Sequence, residues 1–150
     1  MMNTRGERTL EVLNNLAKNC IEAEESYRKA AENIHDENLK QIFIIHAYQK
    51  AEYIAKLKAE IKRLGGKVLN FNYRNNDLEL YNSDEHPTEI LNTCENKEAK
   101  AIRNYEIAMN DDDLLWEVIP IVSRQYLETQ ESYNQIKYLK SNYTEAFAHF

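Results

Sequence analysis

DENLKQIFIIHAYQKAEYIAKLKAEIKRLGG, residues 36–66, is the stretch on which the fold turns. Leu39, Phe43, His46, Lys50, Tyr53, Leu57, Ile61 and Leu64 recur at intervals of three and four, which places them on one stripe of an α-helix. Asp36 stands where a side-chain oxygen can cap the first turn, and Gly65-Gly66 supplies the left-handed residue that closes a helix. The spacing therefore predicts a helix over about 37–64.

Working outward, the same period recurs three times. Leu13, Leu16, Cys20, Tyr27, Ala31 and Ile34 define the inner stripe of a helix over about 9–34, with Glu24 filling the interval between Cys20 and Tyr27. Pro87 suits the first turn of a third helix over about 88–109, whose stripe is Leu91, Cys94, Glu98, Ala101, Tyr105 and Met109. The acidic run Asp111-Asp112-Asp113 is expected to cap a fourth over about 112–141. Its expected stripe is Ile119, Val122, Tyr126, Thr129, Tyr133, Ile136 and Lys140, and Pro120 should kink it. Short links near His35 and Asn110 make each pair an antiparallel hairpin. The crossover, 66–86, is long enough when extended, at about 65 Å, to run the length of a 25-residue helix of about 38 Å. Helices 2 and 3 are then parallel, and the expected fold is all-α: a four-helix bundle of ferritin-like arrangement, one domain over 1–150.

Composition agrees. Three Gly and two Pro in 150 residues are too few for the frequent turns of sandwiches and barrels. Nineteen Lys and Arg against 25 Asp and Glu give a net charge of −6, with no basic block to displace counterions from a phosphate backbone, so no nucleic acid is expected. No run approaches the roughly 20 apolar residues that cross a bilayer, and the first eight residues are too polar for a signal peptide. A cytoplasmic protein with no membrane partner is the expectation. Cys20 and Cys94, outside any C-x-x-C pair, read as buried apolar residues on opposite sides of the carboxylate layer.

Several stretches carry a resemblance: Glu24-x-x-Tyr27-Arg28-x-Ala30-Ala31-Glu32-Asn33, Leu39-Lys40-x-x-Phe43, Lys58-Ala59-Glu60-x-x-Arg63-Leu64-Gly65-Gly66, Cys94-Glu95-x-x-Glu98 and Arg124-Gln125-Tyr126. From about Thr9 to Tyr143 the chain resembles an uncharacterised bacterial family, domain of unknown function 2383. The resemblance implies a ferritin-like bundle. It implies no particular activity, and Tyr133 stands where that family tends to carry His.

A di-iron centre of the ferritin type takes one Glu from each of two helices and a Glu-x-x-His pair from each of the other two. Glu24 and Glu98 occupy the first two places. The other columns hold Lys50 with Tyr53, and Gln130 with Tyr133, and a lysine ammonium repels the cation it would have to help bind. His46 is the one His expected inside the bundle. The residues thus leave two readings. In the first, Glu24 and Glu98 are satisfied without metal by tyrosine hydroxyls and Lys50, in a structural or protein-interaction module that is a homodimer or larger homo-oligomer. Apolar groups left over by the inner stripes, Ile45, Tyr48 and Ile54 with Leu115, Trp116, Ile121 and Tyr138, motivate that assembly. In the second, Glu24 and Glu98 bind iron or manganese with assistance from His46, Tyr53, Glu128 or Tyr133. No nucleophile motif and no phosphate loop marks a catalytic residue, and an enzyme is the less favoured class.

Overall fold

The computed structural model describes residues 4–69 and 86–148, with side chains as far as Tyr143; residues 70–85 of the expected crossover and His149 lie outside the described residues. Within them the chain is helical and has no strand. Helix α1 is Thr4–Asn33, α2 Glu37–Arg63, α3 Pro87–Met109 and α4 Ile119–Ala148, with a 3₁₀ turn at Trp116–Val118.

Helix ends follow local chemistry. Asp36 caps α2, its carboxylate accepting from the Leu39 amide at 3.1 Å. At the other end Gly65 takes φ +78°, and the amides of Gly65 and Gly66 donate to the carbonyls of Lys62 and Ile61. This pair of reversed bonds satisfies carbonyls that the helix leaves open. His86 caps α3 by accepting from the Thr88 amide on Nδ1, with Pro87 following at the first helical position.

The fourth helix departs from expectation. It starts at Ile119, not near residue 112, and Pro120 lies in its first turn, where a missing N–H breaks no helical bond. The carbonyl of Trp116 accepts from the Ile119 amide through the 3₁₀ turn, so no kink is needed. Asp111 shapes the preceding loop instead of capping the helix. It accepts from the Asp113 amide at 2.9 Å and from Arg8 Nε at 2.7 Å.

The packing contacts fix the arrangement. Helix α1 lies along α2 and α3 along α4, each as an antiparallel hairpin. Ser26 meets Lys97 and Cys20 meets Tyr105, so α1 and α3 run in opposite directions. His46 meets Gln135 and Arg63 meets Glu117, so α2 and α4 do as well. Helices α2 and α3 are therefore parallel, on the diagonal of the bundle. The interior divides into two apolar clusters. One is built on Leu13, Leu16, Leu57, Ile61, Val118 and Val122, the other on Tyr27, Ala30, Phe43, Ile90, Leu91 and Ile136. Cys20 belongs to the first and Cys94 to the second; both are buried and neither is in a disulfide.

Candidate functional site

Between the two clusters lies a layer of polar side chains. At its centre Lys50 reaches across the diagonal from α2 to α3, with Nζ 2.9 Å from Glu98 Oε1 and both side chains 1% exposed. The contact is a charge pair outside hydrogen-bond alignment. The ammonium also sits over the Tyr53 ring, 5.3 Å from its centre. A buried carboxylate with no counter-charge is costly, and here the chain supplies the cation itself.

The rest of the layer is a set of hydrogen bonds from all four helices. Tyr105 Oη donates to Gln125 Oε1 at 2.7 Å, and Gln125 Nε2 donates to the Tyr53 carbonyl at 3.4 Å. With its proton so committed, Tyr105 Oη is left to accept from Cys20 Sγ, 3.5 Å away. Ser132 Oγ donates to Gln49 Oε1 at 2.9 Å. Burial pushes the Tyr105 phenol well above its ordinary range, and the adjoining Cys20 adds to this. Burial likewise raises Cys20, so its thiol is a poor nucleophile. Tyr53 is pushed up by burial and then by the neighbouring Glu128 carboxylate.

His46 is one turn from Lys50 and stacks on Tyr27, with ring centres 5.0 Å apart. Its Nε2 lies 2.9 Å from Gln135 Oε1; an amide oxygen only accepts, so Nε2 carries the proton. Burial depresses its pKa below 6.5, aided by Lys50 and opposed by Glu98. Protons therefore bind the unfolded chain more readily than the folded one, and stability is full above pH 6.5 and falls as the pH drops below it. The slope is a fraction of one proton, below about 1.4 kcal/mol per pH unit, and H46Q should remove that share of it; urea unfolding between pH 7 and pH 5 reads this directly.

The expected site residues are thus dispersed. Glu98, His46 and Tyr53 share the layer with Lys50. Glu24 is 26% exposed and lies 3.8 Å from Arg28, in the wall of an outer groove between α1 and α2. It sits at the edge of the α1 stripe nearest α2, while its sequence counterpart Glu98 is at the centre of the α3 stripe. Glu128 is one-third exposed and pairs with Arg124 at 3.3 Å. Tyr133 is half-buried, its ring beneath Lys137. Among the described residues no three His, Cys, Asp or Glu side chains gather as a metal ion requires.

The buried face leading from the 3₁₀ turn along α4 is Val118, Val122, Gln125, Thr129, Ser132 and Ile136: Val122, Thr129 and Ile136 are buried as expected, while Gln125 and Ser132 are buried in place of the expected Tyr126 and Tyr133. Tyr126 and Tyr133 are half-buried and Ile119 is 41% exposed. The signal was the unbroken three-and-four spacing of 122, 125, 129, 132 and 136. Hydropathy masked it, because three of those five residues are polar.

No curated protein matches the chain. Residues 8–70, which contain most of α1, all of α2 and the glycine pair that closes it, match the family model described as domain of unknown function (DUF2383).

Proposed function

We propose that the protein is a ferritin-like four-helix bundle of the cytoplasm in which an internal ion pair stands in for a metal centre, and that it works as a structural or protein-interaction module assembled from identical chains. The observation that carries this reading is the Lys50–Glu98 pair, 2.9 Å apart and 1% exposed on both sides. Glu98 is the carboxylate best placed for a metal, and its charge is already met by an ammonium that repels a second cation. Around the pair, Tyr105, Gln125, Ser132 and Gln49 are engaged in hydrogen bonds within the protein.

Assembly rests on apolar side chains left outside the two clusters. Ile45 is 65% exposed, Tyr48 72%, Trp116 76% and Tyr138 66%. Ile54, expected with this group, is buried in the first cluster, and Leu115 and Ile121 are half-buried. Purified without chelator from cells supplied with iron and manganese, the protein is expected to carry no stoichiometric metal by mass spectrometry. Its melting temperature is expected to stay fixed when Fe²⁺ or Mn²⁺ is added, because a ligand that binds only the folded chain must raise it. One metal per chain would overturn this reading in favour of iron or manganese held by Glu24 and Glu98.

A further inference from the structure

An open groove of about 660 Å³ runs along the outer face of the α1–α2 hairpin. Its floor includes Ala47 and Ala51, small enough for another helix to approach closely, and Tyr48 projects from its wall. Counted back from the turn at Ile34–Asp36, three residues of α1 lie level with three of α2: Glu24 with Tyr48, Arg28 with Ile44, and Glu32 with Lys40. All six line the groove.

We propose that this groove is occupied by the same groove of a second copy of the chain, in a dimer whose two-fold axis lies parallel to the helices. A rotation of that kind keeps each level and exchanges the walls, so α1 of one chain faces α2 of the other. Lys40 then meets Glu32 of its mate at the end near the turn. The Tyr48 phenol meets the Glu24 carboxylate, and the aliphatic stem of Arg28 covers Ile44. Each contact occurs twice. The four charged groups, Glu24, Glu32, Arg28 and Lys40, sum to zero in a chain of net charge −6, so two copies meet on a neutral face. The same face places an exposed tyrosine beside a carboxylate and opposite charges at matched height, a pattern that fits itself without needing a differently charged partner.

This inference rests on the assembly reading above and adds the surface and the symmetry. Sedimentation at high protein concentration tests it. The wild-type chain is expected at dimer mass, Y48E and K40E at monomer mass, and the exchange K40E/E32K back at dimer mass. All three are changes on the outer face, and circular dichroism should show unaltered helix content. A monomeric wild type would overturn both this inference and the assembly proposed above. A dimer that survives Y48E would overturn the groove alone, and failure of the exchange to restore the K40E dimer would overturn the two-fold register.

Discussion

Replacing Lys50 with methionine is expected to cost about 3–5 kcal/mol of folding stability, although Met fits the same volume and is more apolar. The loss does not come from the missing contact. It comes from Glu98, left at 1% exposure with the ammonium that neutralises it removed. Replacing both partners, K50M/E98L, is therefore expected to recover most of that loss or to exceed the parent, since both desolvation penalties vanish together. The two changes are strongly non-additive, and a double-mutant cycle by urea unfolding gives the coupling directly. A K50M loss below about 1 kcal/mol, the scale of an exposed pair, would mean that water reaches the layer and that the pair is not the internal cation we take it to be.

Why retain a pair that apolar residues can replace? The two clusters on either side are apolar, and a bundle held only by non-directional apolar contacts can slide or re-pair its helices at lower cost than one with a fixed polar layer. The Lys50–Glu98 contact joins α2 to α3 across the diagonal, linking helices of different hairpins. Gln125, hydrogen-bonded to Tyr105 of α3 and to the Tyr53 carbonyl of α2, ties α4 to the same level. The layer thus sets the register of three helices with groups that have few other partners, and K50M/E98L is the variant in which that specificity should weaken even as stability holds.

Much of this was legible before any coordinates. The α2 stripe from Leu39 to Ile61 is buried as its spacing predicts, because its apolar and polar members share one unbroken period and both ends carry strong stop signals. Lys50 as a possible partner for a core carboxylate was legible too, from position alone. Two things were hidden. On α4 the buried column includes Gln125 and Ser132, which hydrogen-bond to residues far away in the chain, so no local property distinguishes them from surface polar residues. On α1, Glu24 and Cys20 repeat the spacing of Glu98 and Cys94, but one glutamate faces the core and the other the groove wall. A period of three and four residues cannot resolve that difference.

Phe43→Ala is expected to lower stability by a further amount of similar size, about 3–5 kcal/mol. Phe43 is 0% exposed in the second cluster, its ring centre is 6.1 Å from that of Tyr27, and Tyr27 in turn stacks on His46. Truncation therefore opens a cavity and also removes one of the two ring partners that fix Tyr27 next to the polar layer. Leu57→Ala does the equivalent damage in the first cluster, at about 2–5 kcal/mol. The two sites are 14 residues apart on one helix, about 21 Å, so their effects should add to within about 0.5 kcal/mol. Their sum is of the order of a domain's whole stability, about 5–15 kcal/mol, and the double variant should be largely unfolded in mild denaturant. The single variants answer a sharper question. The polar layer divides the core, but α1 and α2 run unbroken through both clusters, and a continuous helix transmits the loss from one half to the other. Phe43→Ala should accordingly lower amide hydrogen-exchange protection around Ile61 as much as around Leu39. Protection that fell near Leu39 and held near Ile61 would mean that the layer separates two independently opening units.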